Sequence, residues 1–558
     1  MSNNDGAYKM KLLNSYRERR DLLELQSANI GYNYVDPSIT REIEVLNTKI
    51  DAIEKDLPSG SVYEIRPLPL PLQKYDPFLQ LLFSYLPSKE DDLHKFRSRL
   101  LQALGVALGA ERTFIARDIG TDWDVIASYA NTQNSNSSQK HFDKDMEGFF
   151  HRAVRYVKDS NTTDPHKYAN VIYGSRPHDG RSIVVAPLAD LTPIEVLVLD
   201  GVTLDFDIDT VFSAVLMSLI KTTNNITLSV TAHSIQTNIL NTLKQGFFYV
   251  SDWMYNHQFS LFRDKLKTVV MFFEPILSIS YYPYICRWEA LARDPQTFTA
   301  PRDLFETAEL WGPAFQLELD MHCLLTAVES YRELPARPSN LKESRILTDV
   351  VKKNLPENKR EQTLHKIRVG DLLPLSVNVY PETLVRRTYR ETIVALAKKR
   401  QMPLDKLTLE ISEKLPLPQP EEISPGQDEV SWFRDRLRFY TKLGISIAID
   451  DYGVGFASAS RLSRLEPAIV KIDRDALLHA QGSYTIQHVL RLEQEGMGKL
   501  QVIVEGFDDE SKISLLELQQ LGIRYVQGHA IGMPVPAKSI YRLDADQENE
   551  LAKKAGLI

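Results

Sequence analysis

Seven polar side chains stand in or at the ends of short apolar runs in the second half of the chain: Glu289, Asn378, Glu410, Asp450, Asp451, Lys471 and Glu505. Five are carboxylates and one is an amide. Gathered at one mouth, the carboxylates would repel one another strongly unless cations offset them. All six are hard oxygen donors, with no histidine or cysteine among them, which favours Mg2+ or Mn2+ over zinc. Two such ions close together can clamp a phosphodiester and activate water. Lys471 can position or deprotonate that water, or carry phosphate charge. Each residue alone has a plainer reading. An Asp or Glu that closes a strand commonly caps a helix or faces solvent, and a single lysine is as readily a structural partner. Recurrence on successive runs is what points to a site.

Those residues ride on eight runs rich in apolar and β-branched residues: Val270–Glu274, Ile285–Glu289, Leu375–Asn378, Leu407–Glu410, Ile445–Asp451, Ala468–Lys471, Val502–Glu505 and Tyr525–Gln527. From Asn378 through Glu410, Asp450, Lys471 and Glu505 to Gln527 the steps are 32, 40, 21, 34 and 22 residues. These are lengths of strand–helix units, and helical patterns such as Ser511–Leu521 fill the gaps. The spacing predicts an α/β fold, a TIM-like (β/α)8 barrel with its chemistry at the C-terminal strand ends. One link differs. Only the stretch Pro275 to Tyr282 separates the first two runs, shorter than the roughly dozen residues of a parallel crossover. The first strand is therefore predicted to run antiparallel to the second.

The front half of the 558 residues carries no such chemistry. Residues 1–57 read as a helical N-terminal segment, a hairpin whose second helix starts at Asp36-Pro37. Its seam of Ile43, Leu46, Ile50, Ile53 and Leu57 suits packing on its own chain or dimerisation. A proline-rich linker, 58–75, follows. Residues 76–205 read as an α+β domain, with helices from Phe78 to Leu108 and strands at Arg112–Ile119, Val125–Tyr129, Ile183–Ala186 and Val196–Leu199. A polar loop lies at Asn131–Ser138. Residues 206–250 form a connecting helical region, with helix expected from Asp209 to about Leu243, and 251–545 form the barrel.

The net charge is −8, which argues against a nucleic-acid polymer or an anionic membrane as partner. Two cysteines, no signal-peptide pattern and no long uninterrupted apolar stretch point to a cytoplasmic protein.

The tripeptide Glu289-Ala290-Leu291 resembles the signature of the EAL domain, the cyclic di-GMP-specific phosphodiesterases. Its surroundings resemble that family too. Phe273-Glu274-Pro275-Ile276 is similar to Tyr-Gln-Pro-Ile, and Ser376-Val377-Asn378-Val379 to Ser-Val-Asn-Leu. Glu410-Ile411-Ser412-Glu413 is similar to Glu-Ile-Thr-Glu, and Asp450-Asp451-Tyr452-Gly453-Val454-Gly455-Phe456 to Asp-Asp-Phe-Gly-Thr-Gly-Tyr. Lys471-Ile472-Asp473-Arg474, Val504-Glu505-Gly506 and Tyr525-Val526-Gln527-Gly528 complete the set in family order. The resemblance covers about 265–540 and implies a barrel whose first strand is antiparallel.

That resemblance implies roles. Glu289, Asn378, Glu410 and Asp450 would bind one metal, and Asp451 and Glu505 would help hold a second. Lys471 would be the general base or water-orienting group. Arg293 would contact a phosphate, Leu291 would line the ligand and Gln527 would sit near the metal water. Glu413 would anchor the loop after Asp451. Three departures stand out. Glu274 replaces a glutamine that hydrogen-bonds the ligand. Asp508 replaces a glutamate behind the metal ligands. A Pro/Glu-rich insertion spans Leu415–Asp428.

The expected activity is metal-dependent hydrolysis of cyclic di-GMP to linear pGpG. The alternative is a catalytically weak or inactive cyclic di-GMP receptor that signals through protein contacts. Residues 76–205 resemble a GAF sensory domain in element order, with an unknown ligand. Neither Cys286 nor Cys323 lies there, which excludes a covalent bilin. No Gly-Gly-Asp/Glu-Glu-Phe sequence of a diguanylate cyclase is found. The family and the helical N-terminus favour a homodimer.

Overall fold

The structure, a computed structural model, describes residues 20, 45–49, 75–86, 93–119, 123–130, 150, 172–175, 182–188, 195–202, 232–247, 250–280, 283–332, 356, 372–399, 402–418, 428–453, 462, 464–479, 482–495, 500–540, 543 and 545–557. Most of the predicted N-terminal hairpin, the proline-rich linker up to residue 74, the loop 131–138, the start of the connecting helix and the middle of the 415–428 insertion lie outside them. The chain divides into two compact units, Met1–Leu261 and Phe262–Ile558.

In the first unit, helices α1 (Asp76–Tyr85) and α2 (Leu93–Leu108) precede strands β1 (Arg112–Asp118), β2 (Trp123–Ala130), β3 (Ile172–Ser175), β4 (Ser182–Leu188) and β5 (Glu195–Val202). The strands form one sheet in the order β2-β1-β5-β4-β3, antiparallel at every pairing. One face follows the period of two expected of a strand: Phe114 and Ala116, Ile183 and Val185, Val196 and Val198 join Trp123 and Phe150 in a single apolar cluster. The Thr113 hydroxyl donates to the Leu101 carbonyl at 2.7 Å, tying the other face of β1 to α2. Central β5 is buried along its whole length, as a strand covered on both faces must be. Its one buried carboxylate at the N-terminal end, Glu195, receives Arg97 from α2 at 3.0 Å and Arg117 from β1 at 2.7 Å. Helix α3 (Ala232–Phe247) follows.

The eight predicted runs are all strands: β6 (Val270–Ser278), β7 (Tyr284–Arg293), β8 (Leu375–Asn378), β9 (Leu407–Ser412), β10 (Ser446–Tyr452), β11 (Ile469–Ile472), β12 (Gln501–Val504) and β13 (Tyr525–Gln527). They neighbour one another in chain order, and β13 pairs with β6 to close the barrel. The predicted hairpin is present. β6 is antiparallel to both β7 and β13, whereas β7 through β13 run parallel. A two-residue strand, β14 (Val535–Pro536), adds to the other end of β6.

Ile276, Ala448, Ile469 and Ile503 pack the barrel interior beneath the mouth. Around it lie amphipathic helices whose ends are set locally. Asp428 caps α4 (Glu429–Lys442) by accepting from the Ser431 amide at 3.1 Å. Ser514 and Glu517 form a reciprocal capping box on α5 (Leu515–Leu521), and Gly522 ends that helix at φ +103°. No described helix is long and apolar enough to cross a membrane.

Candidate active site

The barrel mouth gathers residues far apart in sequence around one lysine. Lys471, on β11, is 1% exposed. Its ammonium lies 2.6 Å from Glu505 Oε1, 2.7 Å from Glu410 Oε2, 3.0 Å from Glu289 Oε2 and 3.4 Å from Asp450 Oδ1. Two amides hold Glu289 in place: Asn378 Nδ2 donates to its Oε1 at 2.7 Å, and Gln527 Nε2 to its Oε2 at 2.7 Å. The parallel register sets these neighbours, since Asn378 pairs with Glu410 across β8 and β9.

One ammonium faces four carboxylates, and the electrostatics reflect the excess. Burial pushes Glu410 up to about 8, with Glu289 and Asp450 adding to the shift against Lys471. Burial likewise raises Asp450, and raises Glu505 well above the usual carboxylate range with Asp450 beside it. Burial alone would raise Glu289 as well. The Lys471 charge and the hydrogen bonds from Gln527, Lys471 and Asn378 outweigh it and hold that carboxyl low. Burial opposes the charge on Lys471, but its four carboxylates hold it firmly as the ammonium. In this arrangement it is a hydrogen-bond donor and a positive charge.

Glu289, Glu410 and Asp450 each offer an oxygen within 4.8 Å of the others, a spacing that can hold a cation. Glu410 is fully buried, and its Oε1 has no hydrogen-bond partner. A buried carboxylate oxygen without a partner is costly, and a hard cation would satisfy it. The donor set therefore fits a divalent oxygen-seeking ion.

The remaining predicted residues are placed differently. Asp451, next to Asp450 on β10, adopts a left-handed backbone at φ +58°. Asp450 meets Lys471. Asp451 accepts from Ser412 Oγ at 2.9 Å and pairs with Lys414 at 3.0 Å, and Lys414 also reaches Asp473 at 3.4 Å. Together these contacts hold the Asp451 carboxyl below its ordinary range against the effect of burial. Ser412 stands in the motif Glu410-Ile411-Ser412-Glu413, although the sequence gives it no role, and Lys414 carries no signal beyond its place beside Glu413.

Glu413 itself is buried. Its Oε2 accepts from the Gly453 amide at 2.8 Å, and its own amide donates to the Asp450 carbonyl at 2.9 Å. Gly453 sits at φ +107°, a conformation that favours glycine. Glu413 thus grips the start of the loop after Asp451, and Gly455 lies outside the described residues.

Glu274 lies directly opposite Glu289 in the β6–β7 register. Burial and the charge of Glu289 push it up to about 7, while Lys471, Gln527 and Arg293 pull the other way. Half-buried Arg293, near the C-terminal end of β7, donates to the Ala292 carbonyl at 3.0 Å. Leu291 pairs with Phe272. Asp508 meets none of the central carboxylates. It pairs with Arg474 at 2.7 Å and accepts from the Glu510 amide at 3.0 Å.

Residues 344–534 match the family model described as the EAL domain. The matched range opens after Glu289, yet β6 and β7 belong to the same closed barrel, so the structural unit begins upstream of it. Among curated proteins, the "probable cyclic di-GMP phosphodiesterase PdeA" of Escherichia coli is 30% identical over 165 residues, 29% of this chain and 21% of PdeA. The cyclic di-GMP phosphodiesterase RocR of Pseudomonas aeruginosa is 29% identical over 174 residues, 30% of this chain and 41% of RocR. The chain thus spans less than half the length of these relatives. Among solved structures, the Bacillus subtilis YkuI protein with an EAL domain, in complex with cyclic di-GMP and calcium, is 18% identical. That match covers 52% of this chain and 61% of YkuI at a TM-score of 0.37.

Proposed function

We propose that this protein is a cyclic di-GMP phosphodiesterase that hydrolyses its substrate to linear pGpG with divalent cations, Mg2+ or Mn2+. The observation that carries the reading is the convergence of Glu289, Glu410 and Asp450 on Lys471 at the mouth of a barrel that includes the matched EAL segment. The naming of the curated relatives as cyclic di-GMP phosphodiesterases supports it.

In this reading Glu289, Asn378, Glu410 and Asp450 hold one ion, with Asp451 and Glu505 contributing to a second. Ions bound there lower the pKa of water and offset phosphodiester charge. Lys471 carries positive charge at the mouth and orients water. Gln527 and Asn378 fix the rotamer of Glu289, and Glu413 holds the loop that follows Asp451. Arg293 and Leu291 contact the nucleotide, and Asp508 steadies Arg474 behind the mouth.

The front half, 76–205, is proposed to be a GAF-like sensory domain acting on the barrel within a cytoplasmic homodimer. Its support is an antiparallel sheet with its own apolar core.

Purified protein incubated with cyclic di-GMP and Mg2+ or Mn2+ is expected to release pGpG. Glu289→Ala should lower turnover by about a hundredfold or more, since a lost ligand removes metal as well as charge. Release no greater than in that variant would reject the enzyme. Glu274 favours a second reading, a receptor of low turnover, because an acidic group opposite Glu289 disfavours a phosphate nearby. Binding of cyclic di-GMP that persists in EDTA alongside zero turnover would select it.

A further inference from the structure

The carboxylates that can hold a divalent cation are the same ones that Lys471 already shares. Glu289, Glu410 and Asp450 form the cation-sized group, and each has an oxygen within 3.4 Å of the Lys471 ammonium. Lys471 is almost wholly buried, so its ammonium is shielded from bulk water among these carboxylates. An ion held by these oxygens therefore meets a fixed positive charge on its own ligands. Two cations bound to shared carboxylates weaken each other, and the penalty is reciprocal.

We propose that Lys471 is a built-in competitor of the divalent cation: it keeps the carboxylate cluster together and at the same time lowers the affinity of that cluster for metal. The site then fills only above a threshold of free cation, and that threshold is a property of this lysine. The inference rests on the metal reading above and deepens it. A lysine that merely positioned its neighbours would act in the opposite sense, because its removal would let the carboxylates splay and weaken metal binding.

The test uses the full chain, treated with EDTA and dialysed, as wild type, Lys471→Met and Lys471→Arg. Mn2+ binding is measured by calorimetry, and thermal unfolding is followed with and without Mn2+. Lys471→Met is expected to bind Mn2+ at least about tenfold tighter, within the range by which groups around a metal alter its affinity. Its unfolding midpoint without metal should fall, and Mn2+ should raise that midpoint more than it does in the wild type. Lys471→Arg, which keeps the charge, should not gain affinity.

Equal or weaker binding by Lys471→Met, while the wild type binds, overturns the inference and leaves the metal reading standing. If Lys471→Met is unfolded without metal, refolding on addition of Mn2+ supports the inference and failure to refold overturns it. If neither the wild type nor Lys471→Met binds Mn2+ although both show a folded transition, the metal reading is overturned and the inference with it.

Discussion

Glu274 shows how much one side chain at the mouth can matter. It lies opposite Glu289 across the antiparallel pair, in the place where the family pattern has a neutral amide. A carboxylate there adds negative charge beside the metal ligands whenever it ionises. Glu274→Gln keeps shape and hydrogen-bonding capacity without that charge. The variant is expected to lower the KM for cyclic di-GMP about threefold or more, a gain on the order of 1 kcal/mol for removing a like charge at the edge of a solvated cleft. Steady-state kinetics of the two proteins decide it, and a KM that rises or stays unchanged would mean that Glu274 makes a contact the amide cannot. The residue was legible as a departure from sequence alone. Its partner was not, because the pairing depends on the hairpin register, and that register shifts at Ile276/Leu277.

At the scale of elements, a buried carboxyl joins two segments that flank β8. Asp320, in the helix Pro313–Arg332, is 4% exposed, and its Oδ2 accepts from the Tyr380 amide at 2.9 Å, at the start of the helix Pro381–Val385. Burial pushes Asp320 up to about 8 in spite of that hydrogen bond. In the unfolded chain the same group ionises near pH 4. Between these values the folded state holds a proton that the unfolded state releases, so stability falls as pH rises through the window.

Thermal melts of the wild type are therefore expected to show a lower midpoint at pH 8 than at pH 5. Asp320→Asn should flatten that part of the profile by on the order of a few kcal/mol. An unchanged slope in the variant would show that Asp320 titrates near its ordinary value. The elements themselves were readable, because β-branched runs and their spacing are local signals. The link between Asp320 and Tyr380 joins residues 60 positions apart and had no local signature.

At the scale of the whole molecule, each compact unit has a core of its own: a sheet packed around Phe114, Trp123 and Val198 in one, and a barrel around Ile276, Ala448 and Ile503 in the other. The barrel closes on itself through β13 and β6 without strands from the front half. A fragment from residue 248 onward, which keeps the helix Asp252–Leu266 whole, is expected to fold and retain metal-dependent turnover. If the front half regulates the barrel, its rate should differ from that of the full chain by about threefold or more, a coupling of typical size for linked sites. Equal rates and an equal oligomeric mass by light scattering would show that the front half does not control the barrel.

The sequence by itself determined the eight strands, the antiparallel first strand and the placing of the acidic residues at the mouth. All of these follow from local composition, from the lengths of the connections and from the rule that barrel chemistry gathers at the C-terminal strand ends. The family resemblance, rather than composition or spacing, pointed to Glu413, whose Oε2 accepts from the Gly453 amide. Tertiary structure alone decided which carboxylates meet. Lys471 contacts Glu289 across 182 residues of chain, and Gln527 reaches the same carboxylate across 238. Asp450 meets Lys471, whereas Asp451 meets Lys414. Spacing reports which residues lie at an end of a strand. Barrel closure decides which of those side chains meet, and it depends on contacts between segments that no local pattern encodes.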